Sequence, residues 1–162
     1  MAGIAEVLAA EFGDLSMAEA VRLAIRLVIA GTIGGLLGWE RERAGKAAGF
    51  RTHILVAIGT AAMVAVPSQA GFGSDPVSRV IQGLMTGIGF IGAGCILKPE
   101  GKGTVRGLTT AAGIWLTAAV GITAGMGREL SALLIGGLGW FVLAILWRWE
   151  TRIIGPRDEE GS

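Results

Sequence analysis

The 162-residue sequence contains no tyrosine and no asparagine, four prolines, one cysteine (Cys95) and one histidine (His53). One cysteine excludes an internal disulfide framework, and one cysteine with one histidine falls short of the ligand count of an ordinary zinc site. Charge is also scarce. Only 17% of the residues are charged, against about 25% in a typical soluble domain. The 14 basic and 13 acidic residues leave a net charge of +1, so no nucleic-acid footprint is present. Hydrophobic residues reach 52% and mean hydropathy is +0.62, which excludes disordered and collagen-like chains and points to a membrane. Glycine is in excess, at 28 residues. In an apolar chain that suggests helices packed backbone to backbone.

Apolar runs bounded by charges predict five spans: Ala20 to Trp39, Phe50 to Gln69, Val80 to Leu97, Val105 to Met126 and Leu130 to Trp147. Each approaches the ~20 residues a membrane helix needs. Pro67 interrupts the second, which is expected to tilt or end early. Ser16 with Glu19 reads as a capping box, so the first helix should start near Met17. Ahead of it, Ile4, Val7, Leu8 and Glu11 recur at helical spacing, which fits either a short amphipathic helix on the membrane or a frayed terminus. Glu6, Glu11 and Asp14 stand where the cations of a leader peptide would be, so no leader is expected. The chain thus divides into an outer segment over 1–19, a five-helix membrane domain over 20–147 and a tail over 148–162.

Five spans place the termini on opposite sides, and basic residues choose the orientation. Arg41, Arg43, Lys46 and Arg51 fall on one side with Lys98, Lys102, Arg106, Arg148, Arg152 and Arg157. The other side has Arg22, Arg26, Arg79 and Arg128. The N-terminus is therefore expected outside and the C-terminus inside. Trp39, Trp147 and Trp149 fall at inner-interface ends, where an indole prefers to sit.

Several local patterns bear on chemistry. Gly87-Ile88-Gly89-Phe90-Ile91-Gly92 matches the dinucleotide fingerprint by letter, but it lies inside a span and lacks the strand-to-helix context that gives the motif its meaning. With Gly83 and Gly94, these glycines strip a helix of side chains, either for close packing or as a break that exposes carbonyls to an ion. Gly31 with Gly35, Gly34 with Gly38, and Gly121 with Gly125 repeat the small-residue spacing. The first inner loop, Glu40 to His53, is dense in charge. It suits an anion or lipid-headgroup site, and equally a solvated loop obeying the positive-inside rule. His53 is either a titrating group or a hydrogen-bonded helix-start residue. Thr109 and Thr110 place hydroxyls just inside the fourth span, and Cys95 reads as a small hydrophobe.

Arg26 lies about 10 Å along the helix from Glu19. Its guanidinium must snorkel or find a partner, and Asp75, expected on the same side, is an available carboxylate. Within the apolar stretches of all five spans there is no Asp or Glu. Magnesium is usually held through carboxylates, so the core lacks the expected ligands for a divalent-cation path, although carbonyls freed at glycine breaks remain an alternative.

Three blocks occur in a recognisable order: Gly34-Gly35-Leu36-Leu37-Gly38-Trp39-Glu40-Arg41-Glu42-Arg43 continuing through Gly45-Lys46 to Ala48-Gly49-Phe50-Arg51-Thr52-His53; Gly87 to Gly94; and Val105-Arg106-Gly107-Leu108-Thr109-Thr110-Ala111-Ala112. Together they resemble the MgtC/SapB family of bacterial inner-membrane proteins over about Arg26 to Gly125. The family pattern also has an Arg at Arg26 and an Asp-Pro at Asp75-Pro76. This chain departs from it in having Gly83 where a Gln is usual, with Gln82 one residue earlier, and Ala47 where a Pro is common. Thr109 replaces an Asn found in some members. The virulence-associated members continue into a soluble ACT-like domain, which this sequence does not include. The resemblance implies adaptation to low magnesium, acid or host stress, and for some members an inhibitory interaction with the ATP synthase.

Two functions are therefore in view. In the first, a non-enzymatic regulator without cofactor binds another membrane component through Glu40, Arg41, Arg43, Lys46, Arg51, Thr52, His53 and Arg106. In the second, a small transporter or channel passes Mg2+ or another ion along Gly87, Gly89, Gly92 and Gly94 with Thr109 and Thr110. An enzyme is not expected, because one His, one Cys and interfacial acids do not assemble a nucleophile, base and orienting group. A homodimer fits the small-residue faces as well as packing within one chain does.

Overall fold

A computed structural model describes residues 3–11, 13, 15–96 and 105–146. The described elements are helical: α1 (Ile4–Glu11), α2 (Met17–Arg43), α3 (Phe50–Gln69), α4 (Ser74–Gly94), α5 (Leu108–Gly125) and α6 (Glu129–Trp140), which runs on into a π-turn over Phe141–Leu146. Four of these segments are long and apolar enough to cross a membrane: Met17–Arg43, Phe50–Gln69, Leu108–Gly125 and Glu129–Leu146. The chain is an all-α polytopic membrane protein. The remaining long helix, α4, has 21 residues, enough for about 30 Å, but Arg79 and Gln82 dilute its apolar character.

The helix ends follow local chemistry. At the start of α2 the Ser16 hydroxyl accepts the Glu19 N–H at 3.3 Å, and the Glu19 carboxylate accepts the Ser16 N–H at 2.9 Å. This is the reciprocal capping box read from the sequence. Its other end is closed by Gly45 at φ +66, where a Cβ would be strained, letting the Lys46 N–H reach back to the Arg41 carbonyl at 3.0 Å. Helix α3 runs two residues beyond Pro67 before it stops, so the proline shortens the span only at its last turn. The N-terminal segment is helical over Ile4–Glu11, with Ile4, Val7 and Leu8 exposed.

α5 is the centre of the bundle, with ten buried residues and contacts to α2, α3, α4 and α6. Close approach is made by glycines of α2 and α5. A Cβ on Gly34 would stand 2.7 Å from the Ala57 Cβ, one on Gly38 2.8 Å from the Gly49 carbonyl oxygen, and one on Gly125 2.5 Å from the Ala61 carbonyl oxygen. No side chain fits at those distances, so α3 lies directly on the backbones of both neighbours. The glycine-rich helix α4 behaves otherwise. A Cβ at Gly83, Gly87, Gly89 or Gly94 would meet nothing within 4 Å, and Gly92 alone of the block reaches a neighbour, Ala111 at 3.7 Å. Within the chain, tight packing is therefore confined to Gly92 of the Gly83 to Gly94 stretch: α4 sits at the edge, burying only Ile88 and Gly92. The helix is also unbroken, so its carbonyls remain in the helical ladder.

Candidate functional site

The predicted inner loop is mostly helix. α2 continues through Glu40, Arg41, Glu42 and Arg43, and the turn to α3 occupies only residues 44–49. This continuation turns successive side chains in different directions. Arg41 points into the bundle and is 2% exposed. Its Nη2 donates to the Leu143 carbonyl at 2.8 Å, and its guanidinium contacts the Glu40 carboxylate. Leu143 lies in the π-turn that ends α6. Arg41 therefore ties the end of α2 to the end of α6 and is not part of an exposed surface.

Its neighbours have different tasks. The Glu42 carboxylate accepts the Phe50 N–H at 2.7 Å, capping α3 from outside because the cap residue, Gly49, has no side chain to do so. Arg43 lies over the Trp39 ring at 4.8 Å from its centroid, within cation–π reach. Arg43, Arg51 and Arg106 are exposed, and Lys46 and Thr52 are half-buried.

His53 also leaves the predicted surface, being 1% exposed. Its Nδ1 is 3.0 Å from the carbonyl of Gly49, the cap residue of α3. Its ring wedges between Gly38 of α2 and Gly113 of α5, where a Cβ on Gly113 would be 3.6 Å from Nε2. Nε2 is buried and makes no hydrogen bond among the described residues. Of the eight residues expected to form the interaction surface, Arg41 and His53 are thus interior, Glu40 is engaged by Arg41, and Arg43, Lys46, Arg51, Thr52 and Arg106 remain available.

The second predicted group divides as well. Thr110 is buried and Thr109 exposed, while a Cβ on Gly87, Gly89 or Gly94 would meet open space and Gly92 lies against α5. The core hydroxyls of Thr60 and Thr117 bond to carbonyls of their own helices, at 2.8 and 2.9 Å. They do not form a line of free oxygens. Among the described residues, no cluster of three or more His, Cys, Asp or Glu is placed to hold a metal ion.

At the opposite end, Arg26 has a partner other than the expected Asp75. Its Nη1 donates to the Gly125 carbonyl at 3.0 Å, and its Nε is 4.0 Å from Glu129. Asp75 is exposed in the first turn of α4, where a carboxylate complements the helix dipole. Sidedness alone does not separate two carboxylates at one end of a bundle. The end of α5 supplies the carbonyl that decides between them. Gln69, not singled out in the sequence, helps at the same end by donating Nε2 to the Glu19 carbonyl at 3.1 Å.

Lys98, Lys102, Trp147, Trp149 and the 148–162 tail lie outside the described residues.

Comparison with known proteins gives these positions a context. Protein SrpB of Synechococcus elongatus is 46% identical over 116 residues, 65% of this chain and 64% of that protein. A protein of Escherichia coli named putative magnesium transporter YhiD is 46% identical over 112 residues, covering 64% of this chain and 50% of its own length. Protein MgtC of Brucella abortus is 48% identical over 95 residues, 59% of this chain and 39% of that protein. The matches thus span less than two thirds of each relative. No solved structure matches. The MgtC family matches residues 27–152, a stretch that takes in the buried Arg41, the His53 wedge and the open face of α4, and the chain belongs to that family.

Proposed function

We propose that this protein is a non-enzymatic regulator of the bacterial inner membrane, which binds another membrane component through the basic end of its bundle. The observation that carries the reading is a division of labour within one helical turn. Arg41 and Glu42 are fixed on the rest of the protein, so α2 and α3 are held rigidly, and Arg43, Lys46 and Arg51 are left at their junction without a bridging carboxylate within 4.0 Å among the described residues. A rigid base beneath long cationic side chains lowers the ordering cost of binding an anionic surface. The family resemblance makes the ATP synthase the first partner to test and stress adaptation the setting.

The name of the Escherichia coli relative supports a second reading, movement of Mg2+. Against it stand the unbroken helix α4 and core hydroxyls already bonded within their helices. One preparation tests both. In proteoliposomes holding the purified protein with an ATP synthase, ATP-driven proton pumping should fall relative to synthase alone, and Arg43→Ala with Arg51→Ala should restore it. Magnesium uptake by vesicles containing this protein alone, lost in Gly89→Leu, would overturn the regulator reading in favour of transport.

A further inference from the structure

Between α2 and α3, on the flank away from α5, runs a groove of about 610 Å³ lined by Leu27, Gly31, Gly35, Trp39, Ile54 and Ile58 among others. Its floor exists because Gly31 and Gly35 carry no side chain: a Cβ there would stand 3.1 Å from Ile58 and 3.1 Å from Phe50. The one hydroxyl on the wall, Thr32, already donates to the Val28 carbonyl at 2.7 Å. The groove therefore offers a polar occupant nothing and an apolar one a continuous surface.

Its length selects among apolar occupants. Leu27 to Trp39 covers about 18 Å of helix, close to the ~15 Å depth of one leaflet and about half of what a partner helix must follow across the ~30 Å core. Its end selects for charge. At Trp39 and Phe50 the groove meets a second hollow of about 440 Å³ bordered by Glu42. Arg43 lies on the Trp39 ring, and Arg51 follows Phe50 in the chain. The Glu42 carboxylate at this mouth keeps its charge while it caps the Phe50 N–H, so Arg43 and Arg51 together leave the mouth with a net positive charge.

We propose that this groove binds an anionic phospholipid, with an acyl chain on the Gly31 and Gly35 floor and the phosphate at Arg43 and Arg51. The inference goes beyond the regulator reading and draws on the same Arg43 and Arg51, so its test uses this protein alone, where no partner protein competes for them.

The test is electron paramagnetic resonance of the full chain in phosphatidylcholine vesicles containing trace spin-labelled phosphatidylglycerol or spin-labelled phosphatidylcholine. The anionic label should be enriched in the motionally restricted fraction. Thr32→Phe, at an exposed position on the groove wall, should abolish the enrichment, and Arg43→Gln should lower it about fivefold. Circular dichroism and thermal unfolding verify that each variant is folded; Arg43→Gln alone decides if Thr32→Phe is not. Equal restriction of the two labels by the wild type, or enrichment that survives both variants, overturns the proposal. Disulfide linkage of two copies through Leu36→Cys in a Cys95→Ser background would assign the groove to a second copy and overturn it too.

Discussion

Arg41 shows how far a side chain's role can lie from its sequence context. In the row Glu40-Arg41-Glu42-Arg43 every residue looks like a solvated charge. The structure separates them by direction: Arg41 inward to Leu143, Glu42 along to Phe50, Arg43 outward over Trp39. Only the helical continuation of α2 makes that separation, and the partner of Arg41 is a backbone carbonyl about a hundred residues away that no motif announces. A buried guanidinium with a carboxylate and a carbonyl is costly to break, because the remaining partners stay desolvated. Arg41→Met should therefore lower stability by about 3–5 kcal/mol, read as the loss in detergent-solubilised thermal or denaturant unfolding. Arg41→Lys should recover part of it, since a lysine keeps the charge but not the fork that reaches two acceptors. Arg43→Met, two positions along the chain from Arg41→Met, should change stability by less than about 0.5 kcal/mol.

At the scale of elements, glycine spacing was legible in the sequence but its meaning was not. Gly34 with Gly38, Gly121 with Gly125, and Gly83 with Gly87 carry the same interval. The first two pairs meet backbone of α3, and the third meets nothing. What distinguishes them is the position of the helix in the bundle, which is set by contacts between distant segments and not by the interval. The capping box at Ser16 was readable for the opposite reason: both partners lie within three residues, and no tertiary contact intervenes. Hence Gly34→Leu should disrupt the α2–α3 contact and destabilise the bundle by at least the ~1–3 kcal/mol typical of overpacking. Gly87→Leu, on the open side of α4, should be neutral or slightly stabilising, because leucine also favours the helix over glycine. Parallel unfolding of the two variants measures this; a loss in Gly87→Leu equal to that in Gly34→Leu would mean that the open face of α4 is covered by another chain.

At the scale of the whole molecule, four helices among the described residues are long and apolar enough to span, while the sequence predicts five spans. The difference is α4, and it fixes the sides of everything after it. If α4 crosses, the α2–α3 turn and Arg106 share a side, bringing Arg43, Lys46 and Arg51 to the same face as the cations of 97–107. If it does not, Arg106 lies across the membrane from them, and no single surface contains both. The distribution of basic residues favours crossing, since it gathers the lysines and arginines of the α2–α3 turn, of 97–107 and of the tail on one side. Cysteine labelling in a Cys95→Ser background resolves it. A membrane-impermeant maleimide should modify Ser74→Cys in intact cells, and Ala47→Cys and Val105→Cys only after the inner face is opened. Labelling of Val105→Cys in intact cells would leave α4 on the outer surface, and the basic end would then act through Arg43, Lys46 and Arg51 without Arg106.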